Sequence, residues 1–238
     1  MRITEIWRYP VKSMGGETLL SAEVTDLGIA GDRGWGVFDV ATGTTLTARR
    51  THELLFASAR VVDGEVAIRL PDGTEVGADG SAALSAWLGR DVELRSAGSG
   101  DPEVGGRYEV PLDFERDEEW VSWEGPGGAF HDSARTRVSL VSEGTLAGRE
   151  RRRFRANVVV DGAGEEGFVG GSVSVGDVRL DVVKRIDRCV MVTRAQPGLD
   201  RDLDVLRTII AEEDNCLGVG CLVAAEGEMA VGAEVRSG

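Results

Sequence analysis

Short segments in which hydrophobic and polar residues alternate occur along most of the chain, and this pattern predicts a β-rich fold. Residues 3–8 and 34–40 are short segments that contain Ile, Val, Trp and Phe and are followed by turn residues, which is typical of strands. Asp63-Gly64 separates two such segments and favours the tight turn of a β-hairpin. Glycine, with 33 residues, is frequent enough to supply many turns of this kind.

The remaining segments predict further strands and a few short helices. A strand at 44–48 is expected to pair with the one at 34–40, and strands are also expected at 154–160 and 189–194. Helices are expected at 81–88, 142–152 and 200–211, the first two capped by Ser81 and Ser142.

Residues 96–130 have a different composition, rich in Gly, Asp, Glu and Pro and without a sustained period. Such a change is typical of a connection between two structural units. We therefore divide the chain into residues 1–110 and 111–238, with the boundary placed somewhere between 96 and 130.

The charge balance excludes several classes of partner. The chain has 27 basic and 41 acidic residues, a net charge of −14, which disfavours binding to nucleic acid and to anionic membrane surfaces. No apolar run reaches the ~18–20 residues of a membrane span, and the N-terminus has no apolar leader. We expect a cytoplasmic protein.

Histidine and cysteine are scarce, which limits the possible metal sites. Two histidines cannot form a multi-histidine site, and the three cysteines lack the C-x-x-C spacing of a structural zinc site. A disulfide framework is not expected in a reducing cytoplasm.

Two segments near the N-terminus could bind an anion. Lys12 and Ser13 follow a predicted strand, where an ammonium and a hydroxyl can hold a phosphate. Arg33 precedes the next strand and can donate a forked pair of hydrogen bonds. The ordinary alternatives are a solvated lysine, a turn-forming serine and a surface salt bridge.

Arg155 and Asn157 share one face of the strand predicted at 154–160, so they can point at one ligand together. The arginine-rich run at 149–155 is otherwise typical of a solvated helix end.

Cys189 is the strongest candidate for reactive chemistry. Lys184, Arg185 and Arg188 precede it, and nearby cations favour the thiolate, which is both a nucleophile and a metal ligand. The alternative is a buried, inert thiol. Cys216 and Cys221 are expected to be structural.

Seven short motifs occur in an order that resembles a known family. They are YPVKS (9–13), GDRGW (31–35), TAR (47–49), FHD (130–132), RFRAN (153–157), GDVRLDVVK (176–184) and DRC (187–189). Together they resemble MOSC-domain proteins with an N-terminal MOSC β-barrel domain, a group that includes bacterial MOSC reductases and the mitochondrial amidoxime reducing component.

The resemblance implies an α+β, β-rich fold: an N-terminal β-barrel-like domain packed against a C-terminal MOSC β-barrel with a few short helices. It also implies a molybdenum cofactor, in which molybdopterin and one protein thiolate hold the metal. By motif match Cys189 is that ligand. The residues implied to hold the pterin and its phosphate are Lys12, Ser13, Arg33, Arg155, Asn157 and Arg188.

The implied activity is reduction of a small N-hydroxylated or N-oxide compound. Because the sequence has no cysteine cluster for an iron–sulfur centre, electrons are expected from a separate ferredoxin- or flavin-type protein. The alternative is a module that carries the cofactor or its sulfur without turnover. Gln196-Pro197-Gly198 stands where the family usually has an acidic-x-x-Gly turn, and this departure leaves the substrate open.

Overall fold

A computed structural model describes residues 1–97, 106–113, 115 and 119–238 of the chain. The described residues form a β-rich fold with few helices, which confirms the predicted fold class. None of their helices is both long enough and apolar enough to span a lipid bilayer.

The elements of the described residues follow in chain order. The strands are β1 (Ile3–Arg8), β2 (Glu17–Leu19), β3 (Ser21–Thr25), β4 (Gly28–Ile29), β5 (Trp35–Asp39), β6 (Ser58–Val62), β7 (Glu65–Arg69), β8 (Glu75–Val76), β9 (Val92–Ser96), β10 (Arg107–Pro111), β11 (Trp120–Glu124), β12 (Val138–Ser142), β13 (Val158–Val160), β14 (Ser172–Val175), β15 (Val178–Asp187), β16 (Cys216–Ala225), β17 (Gly227–Ala230) and β18 (Arg236–Ser237). The α-helices are α1 (Ser81–Leu88), α2 (Glu143–Leu146) and α3 (Asp204–Glu213), and 3-10 helices lie at His52–Phe56, Arg151–Arg153, Glu165–Phe168 and Val190–Thr193.

The largest sheet joins the start of the chain to its second half. Its strand order is β18-β14-β15-β16-β12-β13-β1-β2, so β1 pairs with β13. Strand β3 likewise pairs with β17. Strands β1 and β3 therefore pair with strands from the C-terminal half, and β2 belongs to the same sheet through its pairing with β1.

Both faces of this sheet are covered, which explains its nearly continuous valine runs. Val158 and Val160 pack in the core on one face, while Val159 packs against Leu206 and Ile209 of α3 on the other. Burying a valine side chain contributes about 1.5–3 kcal/mol. A strand buried on both sides therefore favours apolar residues at every position.

A second core lies under the smaller sheets of the N-terminal half. Val37, Ile68, Leu84 and Leu94 meet there without access to solvent or nearly so. The hairpin predicted around Asp63-Gly64 is confirmed, with positive φ at both residues, as a type I′ turn requires.

Helix α1 confirms one predicted terminus and corrects the other. It ends at Gly89, which adopts the left-handed conformation of a C-cap. Its N-cap is Gly80, so the cap predicted at Ser81 is wrong. The Ser81 hydroxyl instead accepts a hydrogen bond from the Leu94 backbone, because β9 runs beside the start of the helix.

The predicted pairing of residues 44–48 with the strand at 34–40 is confirmed in part. The Asp39 amide donates to the Thr44 carbonyl at 2.9 Å, the Leu46 amide donates to the Val37 carbonyl at 2.7 Å, and the pairing extends no further than residue 46. Strand β5 pairs with β9 along its length, and the Thr45 amide donates to the Arg107 carbonyl of β10.

Three further expectations for the second half are corrected. The strand predicted at 154–160 begins only at Val158, because Arg155 has a left-handed φ of 52°. Residues 190–193 form a 3-10 helix, not a strand. The Ser142 cap is confirmed, but α2 stops where Ala147 turns left-handed.

The region between the halves contains structure that the sequence pattern did not predict. Strands β10 and β11 pair as a hairpin, with Tyr108 stacked on Trp123 at 5.4 Å between ring centroids. Residues 98–105, which belong to the segment 96–130 expected to connect the two halves, lie outside the described residues.

Candidate functional site

A cavity of about 420 Å³ brings all the sequence-predicted site residues together. This volume lies within the roughly 300–1,000 Å³ of small-molecule and cofactor sites. The predicted residues that line it are Lys12, Ser13, Arg33, Arg155, Asn157, Arg188 and Cys189. We call it the cationic cavity.

The cavity lining is strongly basic, although the whole chain carries a charge of −14. Among the described residues, two carboxylates line it, Asp132 and Asp187. The basic residues in the lining are Lys12, Arg33, Arg49, Arg155, Lys184 and Arg188. A cleft with this excess of cations concentrates anions against the long-range repulsion of an acidic protein.

Lys12 lies deep in the wall, with 4% of its surface exposed. Its Nζ donates to the Phe130 carbonyl at 2.9 Å and to Asp132 Oδ1 at 3.0 Å, and it lies 4.2 Å from the centre of the Tyr108 ring. Burial lowers the pKa of Lys12 to about 8, although Asp132 opposes the shift. Lys12 is therefore a desolvated ammonium that already has an anionic partner.

Arg49 shares Asp132 with Lys12 and also faces the Cys189 thiol. Its Nη2 donates to Asp132 Oδ1 at 2.8 Å. Burial opposes the charge of Arg49, but Asp132 and Cys189 outweigh it and raise the pKa of the guanidinium. In the same way Arg49 and Lys12 outweigh burial and hold the pKa of Asp132 well below its usual range.

Arg49 and Asp132 were not among the predicted site residues. The signal for both was present, because they belong to the TAR and FHD motifs. Residue reasoning did not single them out, since an exposed arginine or aspartate in a turn is common.

Arg33 is fixed by a carboxylate and by backbone. Its Nη1 is paired with Asp32, and its Nη2 donates to the Arg155 carbonyl at 3.2 Å. Asp32 in turn accepts the Tyr9 amide at 2.7 Å. Burial disfavours the Arg33 cation, but Asp32 raises the pKa overall.

Arg155 forms no salt bridge with a carboxylate of the described residues. Its Nη1 donates to the Met14 carbonyl, and its guanidinium lies 4.2 Å from the centre of the Tyr9 ring. Burial therefore lowers its pKa to about 10. It reaches the cavity from an irregular segment, so the shared strand face expected for Arg155 and Asn157 is not the reason they meet.

Backbone strain is concentrated around this cavity. Ser13, Arg33 and Arg155 all line it and all have positive φ, at 69°, 52° and 52°. A non-glycine residue in this region costs about 1–3 kcal/mol and persists only where the surroundings enforce it. Such residues are typical of functional sites.

The main role of the Asn157 side chain is to hold two neighbouring strands together through hydrogen bonds. Its Oδ1 accepts the Ser139 amide at 3.1 Å and the Ser139 hydroxyl at 2.9 Å, and its Nδ2 donates to the Trp7 carbonyl at 3.3 Å. With 1% of its surface exposed, Asn157 ties β1 and β12 together at the base of the cavity.

Arg188 and Cys189 form the C-terminal side of the cavity. Arg188 donates to the carbonyls of Leu217, at 2.9 Å from Nε, and Phe154, at 3.0 Å from Nη1. Burial lowers its pKa to about 10, although Cys189 favours the charged form. Cys189 is partly exposed in the cavity and directly precedes the 3-10 helix Val190–Thr193.

Arg153 supports Cys189 from behind. Its guanidinium donates to the carbonyls of Val192, Arg194 and Asp200, at 3.2, 3.0 and 2.7 Å. Arg153 is buried, so the solvated helix end expected for the arginine run is wrong at this position. It pins the segment that follows the thiol.

Cys216, Cys221 and His131 contribute little reactive chemistry. Burial raises the pKa of Cys221 to about 12, and Cys216 does not line the cavity. Burial lowers the pKa of His131 to about 4, so its imidazole is neutral at pH 7. In the part of the chain that the structure describes, no three His, Cys, Asp or Glu residues form a metal-binding group.

The site fits a cofactor that brings both negative charge and its own metal ligands. Arg49 Nε is buried and finds no hydrogen-bond acceptor in the part of the chain that the structure describes. The basic lining matches a phosphate, and Cys189 offers one soft sulfur donor. A metal held by this thiol would take its other ligands from the cofactor.

Comparison with known families gives two matches. The model of the MOSC N-terminal beta barrel domain matches residues 1–96, and the model of the MOSC domain matches residues 132–236. No curated protein matches the chain.

Two solved structures are similar at low identity. The YuaD protein from Bacillus subtilis is 12% identical, with a TM-score of 0.49, over 98% of this chain and 93% of that one. YiiM from Geobacillus stearothermophilus is 16% identical, with a TM-score of 0.37, over 57% of this chain and 74% of that one.

Proposed function

This chain belongs to the MOSC-domain proteins that carry an N-terminal MOSC β-barrel domain, and we propose that it is a molybdenum-cofactor-dependent oxidoreductase. Its substrates are N-hydroxylated or N-oxide compounds, and its electrons come from a separate ferredoxin- or flavin-type protein. The observation that carries the proposal is one partly exposed thiol, Cys189, in a cavity lined by six cationic residues.

Each side of the cavity has its own task in this proposal. Cys189 donates its thiolate to molybdenum, and Arg153 and Arg49 keep the thiol segment in place. Arg33, Arg155 and Arg188 bind the phosphate and the pterin. Lys12 and Ser13 complete that wall, Lys12 together with Asp132. Asn157 has a structural role, because its hydrogen bonds hold the strands at the bottom of the cavity in place.

The cofactor, when bound, supplies two-electron exchange and removal of oxygen from an N–O bond. The overall reduction takes two electrons and two protons and releases water together with the N–H compound from an N-hydroxylated substrate, or the amine from an N-oxide. Asp132 stays ionised, so it orients the cations and does not donate a proton. Lys12 Nζ, with a pKa of about 8, holds a proton at pH 7 and can release it readily.

The cavity also has an apolar wall where substrate can enter. Val110 and Trp123 of the β10–β11 hairpin line it, together with Met191 and Ile186. These side chains favour a substrate with an apolar body beside its polar N–O group.

The test of the metal assignment is molybdenum and pterin analysis of protein made in a host that synthesises the cofactor. We expect close to one molybdenum per chain, and at least a tenfold loss in Cys189→Ser, because a hydroxyl is a poor soft donor. Cys216→Ser is the matched control and should keep the metal. Equal metal in Cys189→Ser and wild type would disprove the assignment.

The test of turnover uses loaded protein with a reduced viologen as donor and a panel of hydroxylamines and N-oxides. We expect reduction to the corresponding N–H compound or amine. If fully loaded protein reduces none of them, the protein is instead a carrier of the cofactor or its sulfur.

A further inference from the structure

A second, smaller cavity lies beside the cationic cavity, with a volume of about 190 Å³. A single water needs only about 10–15 Å³ of such space, whereas drug-sized ligands take about 300–1,000 Å³. Its lining residues are Asp39, Thr42, Thr44, Thr45, Leu46, Thr47, Arg50, Thr51, Arg90 and Glu109. The size suits a small molecule of several heavy atoms.

The charges of the second cavity cancel within its own wall. Arg50 is paired with Glu109, and Arg90 Nη1 lies 3.1 Å from Asp39 Oδ2. In the cationic cavity, by contrast, cations outnumber carboxylates. The lining of the second cavity therefore carries no net charge that would attract an ion, and a neutral ligand is favoured over an anion.

The rest of the wall is unusually rich in threonine. A threonine hydroxyl both donates and accepts hydrogen bonds, and the methyl beside it offers an apolar contact. Five threonines and Leu46 line the cavity. This mixture complements a molecule that alternates O–H and C–H groups.

One of these hydroxyls is buried and has no partner. Thr45 is 3% exposed, and its Oγ1 makes no hydrogen bond with the described residues. Thr45 lines the cavity, and its methyl is the Thr45 atom nearest to where a Cβ of Gly36 would be, at 3.2 Å. An unsatisfied buried hydroxyl destabilises the folded chain, and a ligand hydroxyl can recover that loss.

We propose that the second cavity binds a small neutral polyol of the size of a pentose, with the Thr45 hydroxyl as an internal contact. Thr47 lines both cavities, so this site shares a wall with the cationic cavity. The assignment needs no molybdenum and stands apart from the proposed oxidoreductase activity.

The experiment is a titration of the ¹⁵N-labelled full chain with ribose, followed by amide NMR shifts. We expect saturable shifts confined to residues 39–51, 90 and 109. Thr45→Val should weaken ribose binding about three- to tenfold, because it removes one neutral hydrogen bond at nearly constant shape. Thr18→Val, on the exposed side of β2, is the control and should bind as wild type does.

Three results would overturn the proposal. One is the absence of shifts at about 100 mM ribose, a hundredfold above a millimolar Kd. Another is binding of inorganic phosphate at these residues in preference to ribose. The third is unchanged affinity in Thr45→Val; if that variant does not fold, Thr44→Val at the cavity rim must show the loss instead.

Discussion

The two sides of the cationic cavity hold their positive charges in different ways. On the Asp132 side, Lys12 and Arg49 share one carboxylate. On the carbonyl side, Arg155 and Arg188 donate to neutral backbone carbonyls. The pKa of Arg49 is raised by its carboxylate, whereas burial lowers those of Arg155 and Arg188 to about 10.

This difference predicts which side of the cavity contributes more to the binding of an anion. A carboxylate neutralises part of the charge that an incoming phosphate would meet, whereas a carbonyl orients a guanidinium and leaves its full charge in place. The carbonyl side should therefore contribute more to anion binding than the Asp132 side. Sulfate is a suitable probe because it does not titrate at neutral or alkaline pH.

The largest expected effect is on the carbonyl side. Arg188→Gln should weaken sulfate binding about ten- to hundredfold, the range of a lost charge-assisted hydrogen bond. Calorimetric titration of protein free of cofactor measures it, with folding checked by circular dichroism. Arg179→Gln, on the exposed face of β15, the strand that ends just before Arg188, should bind sulfate as wild type does. If Arg188→Gln weakens sulfate binding no more than Lys12→Met does, the two sides of the cavity do not differ in their contribution to anion binding.

A smaller loss is expected on the Asp132 side. Lys12→Met should weaken sulfate binding about three- to tenfold, since Asp132 already neutralises part of the charge and remains held by Arg49. The same titration measures it, with Leu in place of Met as a second variant. A loss greater than that of Arg188→Gln would place the main anion contact at Lys12.

The smallest effect is a pH dependence that isolates Lys12. Its pKa is lowered to about 8, so the ammonium loses its charge as the pH rises from 7 to 9, while Arg155 and Arg188 stay protonated. Wild-type sulfate affinity should fall about threefold over that range, within the effect of losing Lys12 itself. In Lys12→Met the affinity should be flat, and a matching fall in that variant would assign the titration to another group.

Local patterns along the chain predicted many of the helices, strands and turns, but they did not predict which distant strands pair with one another. The Asp63-Gly64 hairpin and the Gly89 end of α1 follow from turn and cap chemistry within a few residues. The pairing of β5 with β9 does not, because no pattern within a few residues specifies which distant strand lies beside β5. The two-part division of the chain stays a prediction.

The candidate site was predicted by residue type more successfully than by geometry. Arg155 and Asn157 do line one cavity, but a left-handed Arg155 and the Ser139 contacts bring them there, not the face of a strand. Cys189 is partly exposed as a reactive thiol requires, yet it directly precedes a 3-10 helix where a strand was expected.

The amino-acid sequence by itself determined the β-rich class, the acidic surface and the family motifs, because periodicity, charge and motif order are properties of the linear chain. The tertiary structure alone decided that Asp132 joins Lys12 to Arg49, residues 120 and 83 positions away from it. It also decided that Arg153 is buried behind Cys189. These contacts depend on chain closure over long separations and on competition for buried hydrogen-bond acceptors, which no local pattern records.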